Sequence, residues 1–228
     1  MGPKNPTALE LASFISNDPR TANLSDEKRE RILNYYEFLC SENAVQNLTR
    51  LEGPEDFFYF NLVDTVSLLN SGLVEYPAMD LGSGGGAPGL IASIIDSESR
   101  WILAESESGK AAFLMSAITL LGLGDRVEVF RGRGEDFLRS KKVNSVVCRA
   151  VGTVEKILGW IGPCSTWNNL ILMKGPKWSE ERELLNAGRL ASKYSEETSW
   201  TYRLNASSPD RVVSKIVRVP RGTKLSEG

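Results

Sequence analysis

Asp80-Leu81-Gly82-Ser83-Gly84-Gly85-Gly86-Ala87-Pro88-Gly89 is the stretch that decides the fold. Before it lies the apolar run 78–81, and after it Leu90-Ile91-Ala92-Ser93-Ile94-Ile95. The loop therefore leaves a predicted strand and enters a predicted helix over 88–95, with proline where a first helical turn tolerates it. Four glycines in the five positions 82–86 cost conformational entropy and serve no packing purpose. What they permit is a tight turn whose backbone can approach a ligand at a helix start. Working outward, the sequence predicts further strands at 101–105, 127–130, 145–148 and 170–174, with a helix over 109–121 before Gly122. That alternation is the signature of a doubly wound, mostly parallel sheet. A charged helix over 179–191 follows, and then an antiparallel hairpin at 198–204 and 212–219, joined by 205–210, which closes a sheet edge. Upstream, helices are predicted at 7–16, 25–42 and 54–69. The reading gives a helical extension at 1–75, an α/β domain at 76–220 and a frayed tail at 221–228.

The composition narrows the function. The chain has 228 residues, 41% apolar and 25% charged, which suits one α/β domain with an extension. No run approaches the roughly 18 uninterrupted apolar residues of a spanning helix, and the first residues lack a secretory or myristoylation pattern, so a cytoplasmic protein with no membrane partner is expected. Three cysteines, Cys40, Cys148 and Cys164, are too few and too widely spaced for a disulfide framework or a zinc site, and no metal is expected. There is no histidine, which excludes any mechanism that needs an imidazole base or ligand. The net charge of −2 argues against nonspecific coating of nucleic acid.

Candidate site residues follow from the ends of the strands. Gly82, Gly84, Gly86 and Ala87 form the cradle. Glu105 ends the next strand about 20 residues beyond it, where an acidic side chain can hold two ribose hydroxyls. Two overlapping glycine patterns match the dinucleotide fingerprint, so an NAD(P)-dependent oxidoreductase stands as an alternative. S-adenosyl-L-methionine also accounts for Asp80, a carboxylate at a strand end near the glycine turn. Arg149 ends the fourth predicted strand and Lys174 the fifth, both at the sheet edge where such folds bind ligands. On residue type alone Arg133 and Glu135 are more often a surface pair than a site, and only their position in a loop after the third strand reverses this. The basic features available to an RNA are Lys141-Lys142, Arg131 with Arg133, Lys174 with Lys177 and Trp178, and Lys215, Arg218, Arg221 and Lys224. An exposed Trp178 would stack on a base, whereas a buried one would cover the sheet.

In order and spacing, Asn47-Leu48-Thr49, the glycine loop, Glu105-Ser106, Lys110-Ala111-Ala112-Phe113-Leu114, Arg133-Gly134-Glu135-Asp136, Arg149-Ala150 and Lys174-Gly175 resemble the bacterial glucose-inhibited division protein B family. These are guanine-N7 methyltransferases of small-subunit (16S) ribosomal RNA. The resemblance runs over nearly the whole chain and implies a class I methyltransferase-like Rossmann fold, S-adenosyl-L-methionine as cofactor, and ribosomal RNA or the 30S particle as partner, with the protein acting as a monomer. By that resemblance Gly82 and Ala87 line the methionine and ribose side, Glu105 holds the ribose, and Gly134 with Glu135 meets the adenine. Arg149 would lie beside the methyl-transfer site with Lys174, and Asn47, Asn61, Asp64 and Arg133 would touch substrate. One departure stands out: where the family reads His-x-x-Asp-Ser-Leu, this chain has Asn61-Leu62-Val63-Asp64-Thr65-Val66. The aspartate is kept and the histidine is not, so a catalytically degenerate RNA-binding module is a second alternative.

Overall fold

The computed structural model describes residues 6–46, 48–50, 53–187 and 189–220. Asn47, the tail 221–228 and its Arg221 and Lys224 lie outside the described residues.

Seven strands form one sheet: β1 (Ala78–Leu81), β2 (Trp101–Glu105), β3 (Val127–Arg131), β4 (Val143–Arg149), β5 (Trp167–Lys174), β6 (Tyr194–Tyr202) and β7 (Arg211–Arg218). Their order is β3-β2-β1-β4-β5-β7-β6, parallel through β5, with β7 antiparallel to both of its neighbours. β1 and β2 are buried at every position because helices cover both faces, so they read as continuous apolar runs.

The helices are α1 (Pro6–Asn17), α2 (Asp26–Gln46), α3 (Pro54–Phe57), a π-helical stretch (Phe58–Val63), α4 (Asp64–Asn70), α5 (Gly89–Ile95), α6 (Ser108–Leu121), α7 (Gly134–Leu138), α8 (Val154–Ile161) and α9 (Trp178–Ala187). Asp26 and Glu27 sit at the positive end of α2, and Ser25 Oγ accepts from Lys28 N at 3.4 Å. α6 stops where Gly122 adopts φ +63°.

One face of the sheet carries α1 to α6, and the other carries α7 to α9. On the first face Tyr35, Tyr36, Phe57, Phe58 and Phe113 are fully buried. Each large apolar side chain buried in this way contributes roughly 1.5–3 kcal/mol before entropy. The N-terminal helices thus share one core with the crossover helices α5 and α6.

The structure corrects several sequence boundaries. The predicted helix 54–69 is interrupted by the π stretch, which buries Phe58, Asn61, Leu62 and Val63 and so keeps an apolar pattern that reads as helical. β6 begins at Tyr194, earlier than predicted, because it is an edge strand with a largely exposed polar middle and an irregular register between Glu196 and Thr198. α7 and α8 were not predicted, although Val154, Ile157, Leu158 and Ile161 carry the helical spacing and Thr153 caps the start. α5 starts at Gly89, one residue past Pro88.

Candidate functional site

The carboxyl ends of β1, β2, β3, β4 and β5 bring Asp80, Glu105, Arg131, Arg149 and Lys174 to one edge of the sheet. Sequence order reverses between β1 and β4, the switch point at which open α/β sheets bind ligands. Because β7 runs antiparallel to β5, its first residue, Arg211, returns to this same edge beside Tyr202 at the end of β6.

On the β1–β2 side the glycine loop is held by backbone bonds. Gly82 N and Ser83 N donate to Ala104 O at 2.9 and 3.2 Å, and Gly86 N donates to Ser83 O at 2.7 Å. Gly82, Gly84 and Gly86 have φ of +75°, +53° and +99°, a region that other residues enter only with strain. Glu105 is almost buried, with Oε2 accepting from Gly84 N at 2.9 Å and Oε1 from Glu107 N at 2.8 Å. Asp80 is 1% exposed, and its Oδ2 accepts from Gly89 N at 2.9 Å. Burial pushes the Asp80 carboxyl up to about 6, while the Gly89 amide and the charge of Arg149 across the switch point pull it back down. From behind, the Tyr35 hydroxyl of α2 donates to Gly85 O, so the helical extension braces the loop.

These residues fit a cationic nucleoside. Each oxygen of Glu105 uses one acceptor direction on the protein, and a carboxylate offers about four, which leaves acceptors for two ribose hydroxyls. A Cβ on Gly84 would meet nothing closer than Gly82 O at 4.0 Å, so the loop leaves open space there. The start of α5 is already capped by the buried Asp80 carboxylate. A dinucleotide pyrophosphate would face that negative charge instead of free helix amides, whereas the sulfonium and ammonium of S-adenosylmethionine would relieve it. The oxidoreductase alternative loses its anion site on this point.

On the β4–β7 side the edge is held by side chains. Arg149 donates through Nη2 to Asn61 Oδ1 at 2.9 Å, and through Nη1 to Phe60 O and to Asp64 Oδ2, the latter at 3.4 Å. Asp64 is 0% exposed and also accepts from Tyr202 Oη at 2.5 Å and from Arg211 Nε and Nη2 at 3.0 and 3.3 Å. Burial, and then the Asp64 charge, pushes the Tyr202 phenol up. Ala150, directly after Arg149, takes φ +57°, a strained conformation for a residue with a Cβ.

The remaining predicted residues divide. Asn61 touches Arg149, and Asp64 reaches the site through Arg149 rather than by any surface of its own. Lys174 Nζ is committed to Gly152 O and Glu181 Oε2, both at 2.8 Å. Glu135 is mostly buried, 4.0 Å from the exposed Arg133. A Cβ on Gly134 would meet Leu81 Cδ1 at 2.2 Å and Met79 Sδ at 3.1 Å, so close packing of α7 on the sheet accounts for a glycine there without any ligand. Ala87 is half-buried beside the loop. Trp178 is buried in the core of the second face, which removes the base-stacking reading. Lys141 and Lys142 precede β4 at the opposite edge of the sheet; Lys215 pairs with Glu75 and Glu197, and Arg218 stacks on Trp167 at 4.1 Å. Sequence reasoning missed Tyr35, Tyr202 and Arg211. The only signal for the last two was their place at the inner ends of the predicted hairpin.

Among the described residues no group of three or more acidic or cysteine side chains could hold a metal, and no helix is long and apolar enough to cross a membrane. A groove of about 1480 Å³ between α8 and α9, lined by Leu158, Leu184, Trp167 and Tyr194 among others, includes no residue of the glycine loop.

The chain is similar to known proteins in sequence and in fold. Residues 28–206 match the GidB family, described as rRNA small subunit methyltransferase G. The chain is 30% identical over 223 residues to the Ribosomal RNA small subunit methyltransferase G of Rhodopirellula baltica, covering 97% of this chain and 92% of that one. It is 31% identical over 166 residues to the protein of the same name from Marinobacter nauticus, covering 72% and 77%. In fold it is similar to an O-methyltransferase from Bacillus cereus solved in complex with SAH, with a TM-score of 0.56 at 18% identity over 91% of this chain and 97% of that one. The chain belongs to the GidB family of small-subunit ribosomal RNA methyltransferases.

Proposed function

We propose that this protein transfers a methyl group from S-adenosylmethionine to N7 of a guanine in small-subunit (16S) ribosomal RNA, acting as a monomer in the cytoplasm on the RNA or on the 30S particle. The observation that carries the reading is the meeting of an acidic cradle and a basic rim across one switch point, with Asp80 and Glu105 on one side and Arg149 and Arg211 on the other. Family membership supports the ribosomal RNA substrate, and the resemblance supports guanine N7.

Glu105 would hold the ribose, Asp80 the cationic methionyl end, and Gly82, Gly84, Gly86 and Ala87 the near wall of the cofactor. Gly134 and Glu135, after β3, are proposed to meet the adenine. When bound, the cofactor supplies an electrophilic methyl group on a sulfonium. Guanine N7 carries a lone pair and no proton, so the chain needs no general base, and the absence of histidine costs the chemistry nothing. What remains is positioning, an effect that can supply roughly 7–11 kcal/mol.

Arg149 is placed for that task. Three hydrogen bonds occupy its Nη1 and Nη2 ends, and with five N–H donors on a guanidinium two remain to hold an acceptor such as guanine O6 or a phosphate. Asn61, standing where the family has histidine, supplies an acceptor that fixes Arg149, which supports activity over the degenerate reading. Arg133 is exposed at the edge, where its charge favours RNA phosphate, while Lys174, bonded to Glu181 and Gly152 O, is proposed to hold that edge in place.

Calorimetry with S-adenosylhomocysteine and NADH tests the cofactor class. Binding of S-adenosylhomocysteine alone, in the micromolar range, is expected. Binding of NADH alone would overturn the reading.

A further inference from the structure

We propose that Arg211 and Tyr202 are positioning residues for Arg149, acting through the shared carboxylate of Asp64. The proposal rests on the methyltransferase reading above for its kinetic test.

Asp64 has no exposed surface, so protein donors must satisfy its carboxylate. Oδ1 takes the Tyr202 hydroxyl and Arg211 Nε, and Oδ2 takes Arg211 Nη2 and Arg149 Nη1. All of the roughly four acceptor directions of a carboxylate are then used. The division is unequal. Arg211 presents both prongs of its guanidinium at 3.0 and 3.3 Å, whereas Arg149 makes one contact at 3.4 Å. Arg211 and Tyr202 therefore carry most of the compensation of the buried charge. Arg149 is steered by Asp64 without being consumed by it.

Two guanidiniums share one carboxylate, so positive charge remains at the rim, where the side chains of Arg149 and Arg211 are 19% and 20% exposed. Remove Arg211, and Asp64 becomes a buried carboxylate with two vacant acceptor directions. Arg149 is the nearest cation able to fill them. It would turn inward, giving up its bonds to Phe60 O and Asn61 and its present setting at the rim. An ion cluster serving the fold alone would not need to leave Arg149 partly exposed with donors to spare.

The topology explains how distant segments do this. Tyr202 and Arg211 are register partners on the hairpin, and Lys174 at the end of β5 pairs with Val212. The antiparallel return of β7 thus sets the hairpin's inner end against α4 and the end of β4, at sequence separations from Asp64 of 138 residues for Tyr202 and 147 for Arg211.

The test is a double-mutant cycle on methyl transfer to small-subunit ribosomal RNA, using Arg211→Gln, Arg149→Lys and the pair, with ¹⁵N-guanidinium NMR of Arg149 in the cofactor-free protein. Arg211→Gln is expected to lower kcat about tenfold or more while changing the KM for S-adenosylmethionine less than about twofold. In the Arg149→Lys background it should cost less than about a further twofold, because it acts through Arg149. Its Arg149 guanidinium resonance should shift, and Tyr202→Phe should shift the same resonance by a smaller amount. If Arg211→Gln does not fold, Arg211→Lys takes its place, keeping the charge while losing the fork, with partial retention of kcat expected. Multiplying losses in the cycle, or an Arg149 resonance that does not move, would overturn the proposal. A wild-type protein that methylates no ribosomal RNA would instead overturn the methyltransferase reading, and the NMR arm would then judge the hub by itself.

Discussion

On the β1–β2 side of the switch point the site is held by backbone, with Glu105 and Asp80 accepting from the amides of Gly84, Glu107 and Gly89. On the β4–β7 side it is held by side chains, with Arg149, Tyr202 and Arg211 brought from three strands to the buried carboxylate of Asp64, and Asn61 accepting from Arg149. The first side is local and acidic, whereas the second is global and basic. A local cradle fails when its own backbone is disturbed. A global hub fails when any of its distant contributors is lost, and it ties the helical extension, the sheet and the C-terminal hairpin to one site.

The sharpest way to break this comparison is at the hub. Asp64→Ala leaves two guanidiniums without their buried partner and should cost about 3–5 kcal/mol in urea unfolding, with loss of methyl transfer. A cost under about 1 kcal/mol would mean the cluster is solvated and the hub is not real.

The cradle should respond to pH instead. The Asp80 carboxyl, pushed from 3.8 up to about 6, binds its proton more tightly in the folded state. Its contribution to stability is therefore full below about 3.8 and is lost as pH rises through about 6, by about 3 kcal/mol at most. Asp80→Asn should be more stable than wild type near pH 7, indistinguishable near pH 4, and weaker in binding S-adenosylmethionine. Thermal melts across that range, with calorimetry at pH 7, check all three.

A smaller effect separates loop strain from clash. Gly86→Ala places a Cβ 2.8 Å from the Tyr35 hydroxyl at φ +99° and should cost about 1–3 kcal/mol, part of which Tyr35→Phe restores. Additive losses in that pair would show that α2 does not press on the loop. The smallest effect sharpens the boundary of the basic side. Lys141→Glu with Lys142→Glu, at the opposite edge of the sheet, should leave stability within about 0.5 kcal/mol and RNA methylation within about twofold.

The sequence made the cradle readable because its parts are contiguous: a strand, a glycine turn and the next strand's terminal glutamate all follow one another, and β1 and β2 have the predicted bounds. The hub was not readable in the same way. Asp64 and Arg149 could be singled out, but no periodicity links them to Tyr202 and Arg211, which join them only through the antiparallel return of β7. Lys174 was legible as a strand end, but its partner Glu181 on α9 was not. The indole of Trp178 gave no sign of which way it faced, since a tryptophan at a helix start suits either a core or a surface.

The most direct test is to incubate the purified protein with small-subunit ribosomal RNA, free or as 30S particles lacking the modification, and methyl-labelled S-adenosylmethionine, and to map the label to a base and atom. The account predicts incorporation at N7 of one guanine, abolished by Arg149→Ala. Label at another atom, or none from a protein that binds S-adenosylhomocysteine, would contradict it.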